Sequence, residues 1–340
     1  MHRKVAYMRR KSLVIIILAV VLAAAILLSL MLGRYPVTPK ELADIVFSDI
    51  FNIEPYWTEA SEKVLYNIRL PRIFLACLVG CCLSAAGAAY QGVFQNPMAS
   101  PDILGASNGA AFGAALAILL GASRRGITAA AFISSLITII LVFFISSRAQ
   151  GKRVVTLILA GIMVSSLFSA GTSFIKLVAD PSNELPAITY WLMGSLSGAK
   201  KDEVAFVCIP MAVGLIPLLA IRWRLNLLTL GDDEARALGV NARRLRGIVI
   251  ICSTLITAAS VSVSGMIGWV GLVIPHLMRK LVGNDFKYLL PASMLGGAVF
   301  LLLVDDVSRN LLQTEIPIGI LTAFIGAPFF IWLILRREQV

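Results

Sequence analysis

The sequence is poor in charged side chains and in the side chains that bind metals or catalyse reactions. Charged residues make up 14% of its 340 residues, whereas soluble domains carry about 25%. Its two histidines, His2 and His276, have no convergent ligands, and no Ser-His-Asp pattern is present. These shortages exclude an ordinary soluble domain and argue against an enzyme. We expect no catalytic residue, no metal site and no cofactor bound by this chain.

The sequence also lacks a disulfide framework and an ATP-binding motif. All five cysteines lie within apolar runs, where cysteine behaves as a small buried hydrophobic residue. Residues 121 to 128, GASRRGIT, have the glycine spacing of a phosphate loop but lack the lysine that follows the second glycine. No other segment supplies a Walker A sequence, so we expect that this chain does not bind ATP through that motif.

Long apolar runs dominate the chain, because 58% of its residues are hydrophobic. A helix needs about 20 apolar residues to cross about 30 Å of hydrocarbon. The sequence therefore predicts an all-α membrane protein with about ten transmembrane helices, folded as a single transmembrane domain over residues 1 to 340. The predicted spans are residues 12 to 32, 68 to 90, 99 to 121, 127 to 147, 154 to 177, 204 to 221, 244 to 264, 268 to 281, 287 to 304 and 318 to 335.

The net charge of +11 is unevenly distributed between the predicted loops. Nineteen of the 30 lysines and arginines fall on the side that holds the N-terminus. The positive-inside bias then predicts a multi-pass protein of the cell membrane with both termini in the cytoplasm, and residues 33 to 67 form an outer loop. Within that loop, residues 38 to 41, TPKE, are a capping box that predicts a short amphipathic helix. No basic patch interleaved with aromatic residues remains to favour nucleic-acid binding.

Glycines mark two places where helices approach closely or break. Gly105, Gly109 and Gly113 recur at four-residue intervals, which predicts a smooth helix face for close helix contact. Residues 265 to 275 combine three glycines with Pro275, which predicts a broken helix. Broken helices at membrane depth are tolerated where they are buried in protein or line a cavity, so we expect this segment to border a pathway.

The most charged segment among the later apolar runs is residues 222 to 246, which we expect to lie in the cytoplasm. Asp232 and Asp233 predict the start of a two-turn helix, and Gly239 predicts its end. A helix this short is unstable alone in water, so the protein itself or a partner must hold it. From spacing alone, the segment is either a connector between spans or a partner-held helix.

Two arginines, Arg69 and Arg72, stand at the outer end of the second span in the sequence IRLPRIF. An arginine deep in lipid costs about 2.5 to 3.5 kcal/mol, so both should lie at the interface or face protein and water. They are either interfacial anchors or a docking point for an acidic partner.

Seven segments, taken in order, resemble the FecCD-type permeases of ABC importers, which carry iron-siderophore, haem and cobalamin complexes. Their sequences are IRLPRIF, QNPMASPDILGASNGAAFGA, LILAGI, YWLMGSL, LGDDEARALGV, IGWVGLVIPHLMR and EIPIGILTAFIGAPFFIWLI, at residues 68 to 74, 95 to 114, 157 to 162, 190 to 196, 230 to 240, 267 to 279 and 315 to 334. The resemblance covers most of the chain after residue 65.

This resemblance implies a polytopic permease fold and a set of partners. These are a second permease copy, expected to form a homodimer, two cytoplasmic ATPase subunits that carry ATP and Mg, and one extracytoplasmic binding protein. Arg69, Arg72 and Arg309 match outer-face arginines that receive glutamates of the binding protein. The fifth, eighth and tenth spans resemble those that border the translocation path. The residues that match the ATPase-coupling helix are Asp232, Asp233, Glu234, Ala235, Arg236, Ala237, Leu238 and Gly239.

The substrate follows from the resemblance and from the scarcity of metal ligands. A bare-ion path would need coordinating side chains, so we expect an intact metal chelate, with an iron-siderophore complex as first choice. Haem and cobalamin remain alternatives, although RVVT at residues 153 to 156 is more apolar than the hydroxyl-rich segment of cobalamin permeases. Two further hypotheses are an ion-coupled secondary transporter and a membrane scaffold or receptor. The predicted spans lack the relays of acidic residues within the membrane that ion-coupled transporters usually have.

Overall fold

The computed structural model describes residues 2–51, 53–149, 153–229 and 232–337, which form helices and short loops with no strand among them. The helices are α1 (His2–Met31), α2 (Pro39–Phe51), α3 (Glu59–Val64), α4 (Leu70–Val93), α5 (Ala106–Leu119), α6 (Arg124–Arg148), α7 (Arg153–Val178), α8 (Glu184–Leu192), α9 (Lys201–Ala220), α10 (Leu225–Leu228), α11 (Asp232–Ala237), α12 (Ala242–Ser264), α13 (Val270–Val282), α14 (Phe286–Asn310) and α15 (Ile318–Arg337).

Each of the ten predicted spans coincides with a helix, which confirms the prediction of an all-α membrane protein. Seven helical segments of the described chain are long and apolar enough to cross a membrane. Residues Ala106–Leu119 and Ile318–Leu333 are shorter apolar helices. The protein is therefore a multi-pass membrane protein.

The two ends of the helix bundle can be distinguished by α1. The Lys11 ammonium lies 5.4 Å from the ring centroid of Tyr288, and the Ser29 hydroxyl donates a hydrogen bond of 2.7 Å to Asp306. Helices α1 and α14 thus run in the same direction. We call the end where α1 begins the near face and the end where α1 finishes the far face. Helices α10 and α11 belong to the near face, and α2, α3 and α8 belong to the far face.

The core of the bundle lies around α4, α12 and α14. Within the most apolar stretch of each segment, the buried share of the residues is 78% around α4, 72% in α12 and 67% in α14. The corresponding share is only 17% in α1 and 22% in α7. Glycine allows the closest approaches. A Cβ atom added at Gly80 would lie 2.2 Å from the carbonyl oxygen of Gly297, and one added at Gly87 would lie 1.8 Å from that of Gly271. Helix α4 therefore touches the backbones of α14 and α13 directly.

Replacing Gly87 with alanine is expected to destabilise the fold by about 1 to 3 kcal/mol or more, because neither backbone can move without displacing its helix. Gly247→Ala is the matched control, since a Cβ atom at Gly247 meets nothing within 4 Å inside α12. That change should be neutral or stabilise the helix by up to about 1 kcal/mol. Thermal unfolding in detergent measures both; equal midpoints for the two variants would contradict the packing described for α4.

The structure corrects the prediction of the third span. Residues 101 to 104 form a 3-10 turn, and α5 begins only after Gly105, whose φ of 80° is left-handed. A Cβ atom at Gly105 would meet the hydroxyl of Ser165 in α7, whereas Gly109 and Gly113 face α6. Gly105 therefore does not continue the helix face of the other two glycines, because it ends the turn that precedes the helix.

Two loops contain short helices. Helix α2 begins where the capping box predicts it, and the Glu41 amide donates to the Thr38 hydroxyl. Its Leu42 and Ile45 are buried, so that part of its apolar face packs on the protein. Helix α8 lies in the loop between α7 and α9. Pro186 lies in the first turn of α8, where its missing N–H would have no intrahelical partner.

Candidate functional site

The short near-face helix α11 is anchored by the segments on either side of it. Leu225 and Leu228 of α10 and Ala235 of α11 are fully buried. The chain leaves α11 through Gly239, which has a φ of 76°, and the Val240 amide donates to the carbonyl oxygen of Ala235 at 3.0 Å. Glycine has no Cβ atom, so it adopts this left-handed conformation without steric strain. The predicted helix and its predicted end are confirmed.

Helix α11 and the two residues after it expose both charged and apolar groups. Glu234, Ala237, Leu238 and Gly239 are exposed, and Leu238 is 61% exposed. An exposed leucine directly after an anchored helix of only six residues provides a compact surface on which a partner can bind. Asp232, Asp233 and Arg236 belong to the helix, but their side chains lie outside the described residues, as do Leu230 and Gly231 altogether. The prediction that the two aspartates cap the helix therefore concerns side chains that lie outside the described residues.

At the far face, the predicted docking residue Arg72 lies inside the protein between two carboxylates. Its Nε is 3.0 Å from both carboxylate oxygens of Asp305, and its Nη1 is 2.9 Å from Oε1 of Glu315. The side chains of Arg72 and Asp305 are 6% and 0% exposed, whereas that of Glu315 is 24% exposed. This geometry joins the start of α4, the end of α14 and the loop before α15 by charge-assisted hydrogen bonds.

Arg309 and Arg69 are also buried and paired within the chain. Arg309 Nη2 donates to the Ser29 carbonyl oxygen at 2.8 Å and forms an ion pair with Asp306. The Arg69 guanidinium donates to backbone carbonyl oxygens of Leu30 and Tyr35. These contacts tie the end of α1 and the following loop to α4 and α14. The sequence analysis did not identify Asp305, Asp306 and Glu315 as the acidic partners of Arg72 and Arg309.

All three arginines that the sequence analysis expects at the docking surface are buried within this chain. Arg69, Arg72 and Arg309 are 3%, 5% and 7% exposed, so they face protein rather than water. Glutamates of a partner could reach them only after the guanidinium groups leave Asp305, Asp306 and the backbone. One signal was available in the sequence, since two adjacent aspartates that follow an apolar run must find cations if they lie within the bundle.

Glu315 gives the far-face cluster a predictable pH dependence. Partial burial raises its pKa, but the hydrogen bonds and charge of Arg72 and the charge of Arg34 outweigh this and hold the pKa below its ordinary value. A carboxylate with a lowered pKa in the folded state contributes stability above its unfolded pKa of about 4.3, and this contribution is lost as the pH falls through the folded pKa.

We expect Glu315→Gln to lower the free energy of unfolding by about 1 to 2 kcal/mol at pH 7, because it removes a charge-assisted pair. The difference between the wild type and the variant should shrink as the pH falls below about 4. Unfolding midpoints measured between pH 7 and pH 3 test this. A difference that stays constant down to pH 3 would contradict the assigned charge pairing.

A largely apolar cavity of about 650 Å³ lies beside the break between α12 and α13. It is lined by Leu192, Met193, Met266, Gly268, Gly319, Ile320, Ala323, Phe324, Ala327 and Pro328. The break that the sequence predicted is confirmed, and it borders this cavity. Because the lining contains no charged side chain, the cavity suits a bulky ligand whose own charges are masked.

The walls of this cavity are joined by backbone contacts. The Ile318 amide donates to the carbonyl oxygen of Gly194 at 2.8 Å, and the Ser195 amide donates to that of Ser264 at 2.7 Å. The chain after α8, the end of α12 and the start of α15 thus meet at one point. A rearrangement of any one of them would change the cavity.

Trp269 is the residue directly before α13, and it packs between α13 and α15. Its φ of 71° is unusual because it is positive. Large side chains rarely adopt this conformation, and such strain persists only where the surroundings enforce it. The indole packs on Gly326, where an added Cβ atom would lie 2.5 Å from the ring, and its centroid is 6.1 Å from that of Phe330. The strained residue therefore joins the start of α13 to α15, and α15 contributes Ala323, Phe324 and Ala327 to the apolar cavity.

The described part of the chain contains no group of three or more His, Cys, Asp or Glu residues that could hold a metal ion. The ring of His276 packs against Phe329, with centroids 6.3 Å apart. Coordination of a bare metal ion needs convergent ligands of this kind.

Comparison with known proteins agrees with the residues described above. Residues 20–336 match the model of the FecCD transport family. The chain is 41% identical over 314 residues to a molybdate import system permease protein of Haemophilus influenzae, covering 92% of each. It is 39% identical to a hemin transport system permease protein of Yersinia pestis, covering 83% of this chain and 86% of the relative. It is 38% identical to an Fe(3+)-citrate import system permease protein of Bacillus subtilis, covering 98% of each.

A solved structure has the same fold. It is described as an inward-facing conformation of a metal-chelate type ABC transporter. The two chains superpose with a TM-score of 0.85 at 40% sequence identity, and the match covers 95% of this chain and 98% of the other.

Proposed function

Because this chain belongs to the FecCD transport family of ABC importer permeases, we propose that it carries an intact metal chelate across the membrane, with an iron-siderophore complex as the first candidate. The observation that carries the proposal is the uncharged cavity of about 650 Å³ beside a broken helix. A chelator satisfies the coordination of the metal and presents organic surface, so the pathway needs no ligands of its own. Relatives named for hemin and Fe(3+)-citrate support this class of substrate.

Molybdate is the second candidate, favoured by the 41% identical relative that bears its name. A doubly charged oxyanion would require hydrogen-bond donors or cations along its path. The lining of the apolar cavity supplies no charged side chain. This difference in chemistry supports the chelate over the oxyanion.

The proposal includes partners and an orientation. The near face would lie in the cytoplasm, where the basic residues follow the positive-inside bias and where α11 can meet an ATPase subunit. Two ATPase subunits that bind ATP and Mg, a second permease copy and an extracytoplasmic binding protein would complete the transporter. Helices α7 and α15 would border the pathway, since both present exposed apolar side chains such as Met163 and Phe324.

The substrate proposal is tested by uptake of a chelate labelled separately in its metal and its chelator. Proteoliposomes containing the permease, its ATPase and its binding protein receive the ferric siderophore, with haemin, cobalamin or molybdate as competitors. We expect the metal and the chelator to enter at the ratio in which they were supplied. Entry of iron without its chelator, or import of molybdate in place of the siderophore, would overturn the chelate assignment.

A further inference from the structure

A second cavity, of about 520 Å³, lies at the near face between the end of α4, the end of α13 and the start of α14. Its character is opposite to that of the apolar cavity. Its lining includes Gln91, Gln95, Asn96, Thr229, Arg279 and Lys280. Thr229 directly follows α10, so the cavity also touches the end of that helix.

Among the described residues, the lining of this near-face cavity is cationic. Arg279 and Lys280 line it, and none of the described lining residues is an aspartate or a glutamate. The nearby Asp285 is engaged elsewhere, because its carboxylate accepts from the Lys287 amide at 3.0 Å and from the Asn226 amide group at 2.9 Å. Positive charge in a partly desolvated cavity interacts with an anion more strongly than it would in water.

Two polar atoms in the lining are buried without a hydrogen-bond partner. One is Nη1 of Arg279, and the other is Oε1 of Gln91, a residue that is only 3% exposed. The Gln91 amide nitrogen makes only long contacts, 3.4 Å to the Gly271 carbonyl oxygen and 3.5 Å to that of Leu272. Buried polar groups are normally paired, so unpaired groups that line a cavity point to a missing ligand. The Arg279 Nη1 group is a donor and therefore fits an acceptor such as an anion, whereas the Gln91 oxygen is itself an acceptor.

We propose that this near-face cavity binds a phosphate-type oxyanion, with Arg279 as its main ligand and Lys280 at its rim. A planar guanidinium donates two parallel hydrogen bonds to phosphate, which would satisfy Nη1. The Lys280 ammonium lies 4.8 Å from the ring centroid of Trp332, which holds it beside α15. A bound anion would thus connect α4, α13 and the segment before α11. Both free phosphate and the headgroup of an anionic lipid present this chemistry.

The test uses the full chain in nanodiscs of phosphatidylcholine, with thermal unfolding followed as inorganic phosphate replaces chloride at constant ionic strength. We expect a saturable rise in the unfolding midpoint, because a ligand that binds only the folded state stabilises it. Arg279→Gln should weaken the apparent affinity roughly tenfold or more, since it removes a charged hydrogen bond. Arg243→Gln, which changes an exposed cation at the start of α12, should leave the affinity unchanged. If Arg279→Gln does not fold, Lys280→Gln supplies the comparison and should also weaken binding.

A second arm identifies the source of the anion. Nanodiscs containing phosphatidylglycerol are analysed by native mass spectrometry for lipid that stays bound to the protein. Retention by the wild type and by Arg243→Gln, but not by Arg279→Gln, assigns the cavity to a lipid headgroup. A phosphate effect in neutral lipid without such retention assigns it to a free anion. Absence of both effects, or equal effects in Arg279→Gln, would overturn the proposal. The result does not depend on the substrate that the permease carries.

Discussion

Replacing Arg72 with alanine is expected to lower the free energy of unfolding by about 3 to 5 kcal/mol, because it leaves the fully buried Asp305 carboxylate without its cation. The loss extends to the loop before α15, since Glu315 also depends on Arg72. Thermal or denaturant unfolding in detergent measures the effect. Few single substitutions of the described residues should have a comparable effect, because most surface changes alter stability by no more than about 0.5 kcal/mol.

The matched control for Arg72→Ala is Lys63→Ala. Lys63 pairs with Glu59 one helical turn away, but the two side chains are 64% and 80% exposed. Exposed pairs of this kind contribute little, so Lys63→Ala should leave the unfolding midpoint nearly unchanged. A double change, Arg72→Met with Asp305→Leu, should recover part of the stability by removing the unpaired charge. Equal effects of Arg72→Ala and Lys63→Ala would show that the buried cluster does not stabilise the far face.

The second large effect is expected in transport rather than in stability. Glu234→Arg combined with Leu238→Asp should reduce ATP-driven uptake at least tenfold, because an ATPase held by this exposed surface would lose an apolar contact and meet a reversed charge. Truncation of one central contact costs 2 kcal/mol or more at many interfaces, and about 1.4 kcal/mol is tenfold. Uptake into proteoliposomes and co-purification of the ATPase measure the two consequences.

The fold of this double variant should be unchanged, since both side chains are exposed and α11 is anchored by buried residues of α10. Lys287→Glu is the matched control, because it reverses an exposed charge on the same face without altering α11. It should transport like the wild type. Normal uptake by the double variant, with the ATPase still bound, would show that the coupling surface lies elsewhere.

The sequence predicted the helices well where composition alone decides. An apolar run long enough to cross a membrane has few alternatives to a helix, because every backbone group must be paired internally. The break between α12 and α13 was also predictable from its glycines. By contrast, Gly105 was misjudged, because glycines can lie within a helix face or precede the start of a helix. Which of these they do depends on neighbours such as Ser165 that are distant in the sequence.

The far-face cluster could not be deduced from local sequence. Arg72 and Asp305 are 233 positions apart, and only the packing of α4 against α14 brings them together. The sequence correctly restricted Arg72 to the interface or to contact with protein, since charge in lipid is costly. It could not decide between a partner's carboxylate and one from the same chain. Docking through these arginines stays a prediction, and it would require them to exchange their present partners.

The two cavities also differ in how far the sequence could foresee them. Glycines at residues 265 to 271 predicted a pathway border, and the apolar cavity lies there. The near-face cavity combines Gln91 with Arg279, which no motif connects. Such a site is defined by three helix ends that meet in space. It is therefore visible only once the bundle is assembled.

This chain is expected to form a pathway that is driven by a separate ATPase. The most direct measurement is uptake of a labelled ferric siderophore into proteoliposomes that contain the permease and its binding protein, with and without the ATPase and ATP. We predict uptake only when both are present, and no loss when ionophores collapse the ion gradients. Uptake that follows an imposed gradient and continues without the ATPase would contradict the claim and identify a secondary transporter.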